Sequence, residues 1–422
     1  MANGNAFQVS NLIAKSMTEF FVAKNPIYLS SNHDFEGMFD QKSYATGGAI
    51  NIKIPGAPPV QRGLAVTATN IQDLVIPYTI TEQDIYSVVR NLDSFQDLFN
   101  IIQSDKALTT DQEKAVVDNY GFPSYQAIAT DIENELTLRL ASTAYLTPVD
   151  TIAKLTAVNN YNSVSQCEKM ATDLKLKDGR FMMMNTKDAN LVSNSLQNYF
   201  SQSYSFPILQ EAAVLGKDKG RLAGFDVYRS TELRKHTAGT LGQAGTTLTV
   251  TSVSADGSTI TFSGAVSNTS TQIVAGDRIS IPSVNLVDPI GHRDIDYLLV
   301  VTAAEDAQGD GAGNISVNIS YPLMASGEHQ NVGALPANGA AATVFPDRYV
   351  NYAYTRAGVS TVPLLLPEIY GAVNNDSKKM NFPMRVILQG AALDLQNNYR
   401  ISTMVGVQCF APYIIELPSS VN

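Results

Sequence analysis

Lysine vanishes from the sequence after Lys235 and does not return until Lys378. Within that gap, from Thr237 to Phe345, two arginines stand against nine carboxylates, so this stretch carries about −7 of the chain's net charge of −10. It is built of short runs in which apolar and polar residues alternate, at 248–253, 259–262, 278–281, 297–301 and 315–319. Turn signals such as Asp256-Gly257 separate them. Alternation with period two marks a strand with one buried face. Roughly six such strands in about 110 residues predict a small closed barrel or sandwich. Helix-bearing sequence precedes this stretch and a mixed β-rich tail, 346–422, follows it. Residues 237–345 therefore read as an all-β domain inserted into a larger α+β chain.

The remaining segments differ among themselves. Val9, Leu12, Ile13, Met17, Phe20 and Phe21 recur at helical spacing in an N-terminal arm, 1–48. Ile50-Asn51-Ile52-Lys53-Ile54 alternates strictly and predicts a strand, and a second β-like run covers 74–80. About twenty residues rich in Gly, Pro, Ala and Thr lie between them, longer than the roughly 12–15 residues common for loops. The economical picture is a projecting hairpin over 49–80. An isolated hairpin is marginal in water, so the arm needs a partner surface. Its apolar residues Ile50, Ile52, Ile54, Pro58, Pro59, Val60, Leu64 and Val66 are the candidate contacts.

From Thr81 to Gly121 the pattern reads as helical. Pro123-Ser124 opens a long helix whose inward face is Tyr125, Ile128, Ile132, Leu136 and Leu140 and which stops near Thr147-Pro148. Ser163-Val164-Ser165-Gln166 has capping-box form. It predicts a helix with Val164, Cys167, Met170 and Leu174 inward, closed by Gly179. A buried strand at 180–185 follows, and Thr186 is placed to cap a helix with the stripe Val192, Leu196, Tyr199 and Phe200. Residues 220–230 read as a turn into a strand. These segments divide the middle of the chain into 81–160 and 161–236.

Chemistry is sparse. The 422 residues suffice for about three domains. The acidic balance lacks the basic footprint of a dedicated nucleic-acid binder. No run of 18 apolar residues predicts a membrane helix, and the N-terminus has no signal-peptide pattern. Cys167 and Cys409 make neither a disulfide framework nor a zinc site and read as buried free thiols in a reducing compartment. Walker A, Gly-x-Ser-x-Gly and His-Glu-x-x-His patterns are missing. Asp294/Asp296 and Glu305/Asp306 could do acid–base work or bind calcium. The run 306–311 loosely resembles a calcium loop but lacks its alternate ligands and closing glutamate; a solvated hairpin turn is the plainer reading. Lys53 is read as a solvated strand lysine rather than a crosslink point, and Met182-Met183-Met184 as core. The profile is that of a self-assembling structural protein without cofactor or metal, not an enzyme. Two rival readings are a glycan- or receptor-binding protein, which needs an exposed aromatic pocket in the β insertion, and a hydrolase using Asp294 and Asp296.

The order of these parts is similar to that of tailed-bacteriophage major capsid proteins of the HK97-like fold, within the P22-type coat protein group. The turn and strand Gly220-Arg221-Leu222-Ala223-Gly224-Phe225-Asp226-Val227-Tyr228-Arg229-Ser230 resembles the segment before the insertion in that group. Asn351 to Val359 and Val362-Pro363-Leu364 resemble the returning segment. Met384-Arg385-Val386-Ile387, Tyr399-Arg400-Ile401 and Val405-Gly406-Val407 resemble its closing strands. The resemblance implies an N-terminal arm, an extended loop at 49–80 lying over a neighbouring subunit, a spine helix, peripheral and axial regions and an inserted β-barrel. It also implies pentamers and hexamers in an icosahedral shell, and procapsid assembly with a scaffolding protein in the host bacterial cytoplasm, followed by expansion. A portal protein, packaged double-stranded DNA enclosed without specific binding, and no membrane complete the expected partners; the virion capsid is the expected destination.

Overall fold

The computed structural model describes residues 26–35, 39, 50–56, 58, 62–63, 71, 73–92, 117–148, 161–176, 179–200, 219–233, 235–265, 271–364, 366, 372–375, 383–390 and 397–418. The apolar stripe at 9–21 lies outside them. In chain order, a short helix α1 (Pro26–Ser30) precedes a two-stranded ribbon, β1 (Ile50–Ile54) and β2 (Leu74–Tyr78). Next come β3 (Ile85–Leu92) and the long helix α2 (Phe122–Thr143). These lead to α3 (Tyr161–Asp173), β4 (Arg180–Asn185), α4 (Thr186–Phe200), β5 (Lys219–Leu222), β6 (Phe225–Ser230) and β7 (Lys235–His236). A helical turn opens β8 (Thr247–Val253), β9 (Thr259–Ser263), β10 (Arg278–Val287), β11 (Asp294–Thr302), β12 (Asn314–Asn318) and β13 (Ala341–Val344). Then follow β14 (Arg348–Thr355), β15 (Val359–Leu364), β16 (Ala372–Asn375), β17 (Met384–Gly390), β18 (Asn397–Cys409) and β19 (Ile414–Pro418). The architecture is α+β, and the chain divides into two compact units, each gathered from distant segments.

The first unit collects 1–50, 77–136 and 360–408. Its sheet runs β15-β18-β17-β16, with β3 also paired to β18. The helical reading of 81–121 is overturned at β3, which runs antiparallel to β18 over eight residues, from Leu92↔Asn397 to Ile85↔Met404. The reason is non-local. Ile85, Tyr86, Val88 and Val89 suit a pleated, half-buried surface, and their partner strand lies some three hundred residues away. Residues 93–116 fall outside the description. The N-terminal part of α2 buries Tyr125, Ile128, Ile132 and Leu136 as its spacing predicts, each worth roughly 1.5–3 kcal/mol. Elsewhere, Asn32 bridges Ser360, and the His33 ring nitrogens sit 3.0 Å from the Thr361 carbonyl and 2.8 Å from that of Tyr28.

The second unit collects 51–76, 137–359 and 409–422. Its core sheet runs β19-β14-β4-β6-β5, with β7 on β14. Strands β4 and β6 pair in parallel, with α4 between them in the chain. The 220–230 segment is a tight hairpin: Leu222 faces Phe225 across Ala223 and Gly224, both at positive φ, the geometry that matches strand twist. Helix α3 presents Val164, Cys167 and Met170 inward, with Leu174 just beyond its end, as predicted. Its ends differ from expectation. It starts at Tyr161, whose N–H donates to Ser195 Oγ, so Ser163 is a buried first-turn residue rather than a cap. It closes at Lys175, not Gly179: Lys175 takes φ 55°, and the Leu176 and Lys175 amides donate to Ala171 and Thr172, a Schellman ending. Likewise Asn185, not Thr186, caps α4, its Oδ1 accepting from the Lys187 amide at 2.9 Å. Of the α4 stripe, Val192 is buried; the side chains of Leu196, Tyr199 and Phe200 lie outside the description.

Within this unit, 247–344 forms one antiparallel six-stranded sheet, β11-β10-β13-β8-β9-β12. The two edge strands meet just past their ends through the bridge Ala303↔Ile319, so the sheet curls back on itself. Its inward set, Leu248, Val250, Ile260, Phe262, Ile279, Ile281, Leu299, Val317 and Val344, is buried; β8, β9, β12 and β13 alternate buried with more open positions, while β10 and β11 carry continuous buried runs. The Asp256-Gly257 turn needs its glycine: φ is 69°, and a Cβ there would lie 2.1 Å from the Leu323 carbonyl oxygen.

Candidate assembly surfaces and the seam of the inserted sheet

The ribbon places its apolar residues unequally. Ile50 and Ile52 are buried while the alternating Asn51 and Lys53 face solvent. Ile54 is half-buried and Pro58 exposed. On β2 the exposed positions are Val75 and Pro77. Among the candidate contacts, Pro59, Val60, Leu64 and Val66 lie outside the described residues. The root of the hairpin thus satisfies its isoleucine face within one chain, leaving Pro55, Pro58, Val75 and Pro77 as described apolar groups open to a partner. Tyr78, at the end of β2, is fully buried, with Phe39 edge-on at 5.1 Å and Phe35 at 6.5 Å.

Beside the ribbon lies a recess of about 540 Å³, lined by Ile54, Pro58, Leu146, Leu174, Leu286 and Tyr321 among others. It is mostly apolar, with Lys175, Glu328 and His329 also in its lining. Burial pushes the Cys167 thiol up to about 12, which keeps it protonated and inert. The acidic turns serve themselves. Asp294 accepts from Asn285 Nδ2 and from the Asp296 amide, each at 2.8 Å. Asp310 accepts from the Ala312 and Asn314 amides, and these bonds hold its carboxyl below the usual range. Among the described residues no cluster of three His, Cys, Asp or Glu side chains could hold a metal ion. No described helix is long and apolar enough to cross a membrane. Phe262, Tyr297, Tyr321 and Phe345 are all buried, so they form no exposed aromatic platform for a glycan.

The polar chemistry is concentrated where the inserted sheet meets the core sheet. Arg278, first residue of β10, is fully buried and donates from Nε to Glu416 Oε2 at 2.8 Å. Arg348 of β14 donates from Nε to Glu416 Oε1 at 2.8 Å and from Nη2 to the Gly276 carbonyl at 3.1 Å. Arg278 Nη1 also donates to Thr302 Oγ1, which donates onward to the Ala144 carbonyl at 2.6 Å. Desolvation disfavours ionised Glu416, but the two guanidiniums and their hydrogen bonds outweigh it and bring its pKa down to about 2. Around this centre, His236 Nε2 lies 2.7 Å from Asp277 Oδ1, Lys175 pairs with Asp288, and Lys169 stands over the Tyr297 ring. Sequence reading passed over Arg278 and Glu416. The available signal was a lone charge within an apolar strand, Ile414-Ile415-Glu416-Leu417, and one of only two arginines between Thr237 and Phe345.

A family model described as P22 coat protein, gene protein 5, matches residues 96–418. Among solved structures, one of Mycobacterium phage Che8 is similar at 10% identity and TM-score 0.43, covering 93% of this chain and 90% of its own. The capsid of Cyanophage P-SCSP1u gives 11% identity and TM-score 0.41, with 90% and 86% covered. The holo-SrpI encapsulin complex of Synechococcus elongatus PCC 7942 gives 6% identity and TM-score 0.35, with 91% and 86% covered. No curated protein matches the chain.

Proposed function

The chain belongs to the P22 coat protein family, and from that premise we infer that it is a major capsid protein whose copies form the shell of a phage particle. The family match across 96–418 carries this reading. We further propose the HK97-like layout for it, with α2 as the spine and 237–345 as an inserted barrel domain. The bounds 1–48, 49–80, 81–160, 161–236 and 346–422 mark the arm, extended loop, peripheral, axial and returning segments.

In this reading copies close into pentamers and hexamers around a scaffolding protein in the bacterial cytoplasm. One vertex is given to a portal protein, and the shell expands as double-stranded DNA enters. Two packings of one chain separated by a modest free-energy gap are the physical requirement. The ribbon reaches a neighbouring subunit through Pro58, Pro59, Val60, Leu64 and Val66 beyond its root, with Ile50, Ile52 and Ile54 holding the root. An excursion of this length stays ordered when a partner covers it. The net charge of −10 suits a container, because a wall that attracts the genome weakly does not trap it.

Electron microscopy and size-exclusion chromatography of the expressed chain, with and without a co-expressed scaffolding protein, test this reading. Shells, rings or polyheads of megadalton size are expected. A species that stays monomeric in every condition rejects it.

A further inference from the structure

A recess and an apolar knob stand side by side on the second unit. The recess of about 540 Å³ is walled by Pro58, Leu286, Tyr321 and Tyr413, with Glu328 also in its lining. Ile290, in the turn between β10 and β11, stands at its rim and is 57% exposed. That turn is organised around Asp288. Its carboxylate accepts from the Ile290 and Gly291 amides at 3.1 Å each and pairs with Lys175. Its amide donates to the Arg293 carbonyl at 2.8 Å, and the His292 amide donates to its carbonyl at 2.9 Å. Pro289 fixes one more backbone angle. An isoleucine is thus held out to water on a turn that has little freedom to withdraw it, and a contact made by so fixed a group loses little entropy on forming.

A single exposed apolar side chain is ordinary on a protein surface. Here a hole of matching character lies against it. Two copies related by a two-fold axis present the same patch to each other, so every contact is made twice. A knob beside its own hole is self-complementary under that operation: each Ile290 can enter the other copy's recess. The charges agree with this. Arg293 is exposed three residues beyond Ile290, and Glu328 is half-buried in the recess lining. Among the described residues neither side chain has an ion-pair partner. Lys175, the lysine of the recess, is already engaged by Asp288. A knob carried into the facing recess brings its guanidinium toward a carboxylate, the pairing for which arginine is best shaped. A small apolar ligand would fill the recess but leave Ile290 and Arg293 in water. We propose that this patch is an isologous contact between two copies of the chain, with Ile290 seated in the facing recess and Arg293 paired with the partner's Glu328. The proposal rests on the capsid reading and adds one of its subunit contacts. A patch this small is not the roughly 1,000 Å² of a self-standing interface, so its effect is read in assembly rather than as a stable dimer.

Full-length Ile290→Asp, Ile290→Ser, Arg293→Glu, Glu328→Arg and the double reversal Arg293→Glu/Glu328→Arg test it. Ile290 and Arg293 are exposed, so their variants should melt as the unmodified subunit does. Each substitution acts twice in an isologous contact. The concentration at which shells appear should therefore rise by about tenfold or more for Ile290→Asp and for each single reversal, and by less for Ile290→Ser. The double reversal restores opposite charges across the two-fold within one kind of chain. Its threshold should return to within about threefold of the unmodified one, a recovery that a merely structural role of either residue does not give. Shells forming at the unmodified threshold in both Ile290 variants overturn the proposal. So does a double reversal no better than the worse single one. Variants that assemble normally alone but lose co-assembly with a scaffolding protein would assign the recess to that protein and overturn it too. If the unmodified chain forms no shells, the capsid reading falls and this contact with it; shells from every variant at the same threshold remove only the contact.

Discussion

Glu416 illustrates how one side chain can fix a junction. Two buried guanidiniums share its carboxylate, and a buried charge cluster is unforgiving when one partner is removed. Glu416→Gln leaves Arg278 and Arg348 facing each other without a counter-charge and should cost about 3–5 kcal/mol, measured by denaturant unfolding of the subunit. Acid should reproduce the effect. Because the folded pKa is depressed to about 2 from an ordinary 4.5, this stability is complete above about pH 4.5 and drains away as pH falls through 2. A near-UV circular dichroism titration of the unmodified subunit should show this acid transition, and the Gln variant should lack Glu416's share of it. At this scale the sequence was least legible. A charged residue in an apolar strand signals a buried partner without saying which, and Arg278 lies 138 residues from Glu416.

Elements were legible in proportion to how local their causes are. The α2 face from Tyr125 to Leu140 follows from spacing alone, and so do the alternating strands β8, β9, β12 and β13, because burial on one face enforces period two. β3 was misread because its stability comes from β18, and no local pattern reports a partner that distant. Caps slipped by one to four residues where a side chain from another element, or a lysine in a left-handed turn, served instead of the expected one. The ribbon carries the element-scale prediction. Removing residues 57–70 leaves β1, β2 and the buried Ile50 and Ile52 in place, so the subunit should fold with an unchanged melting temperature. Shell yield on negative-stain grids should drop sharply. Equally robust particles from the deletion would remove the ribbon from the list of subunit contacts.

At the scale of the molecule, the strands of 247–344 pair among themselves, while their attachment combines a core shared with the rest of the second unit and the polar seam at Glu416. Residues 237–345 expressed alone should therefore fold and give dispersed amide NMR spectra, with Arg278 returned to water. Arg278→Met should be tolerated in that fragment and strongly destabilising in the full chain; equal effects in both would show that the seam contributes nothing. Alternation within 247–344 made its strands visible in advance, whereas their docking was not, since Thr302 reaching Ala144 and Lys175 reaching Asp288 leave no trace in composition. The same seam imposes an order in time. A ribosome adding roughly 5–20 residues per second releases Arg278 roughly 7–28 seconds before Glu416, 138 positions later. The nascent module must wait undocked over that interval, its guanidinium hydrated, so a subunit still being translated cannot yet present the finished surfaces on which polymerisation depends.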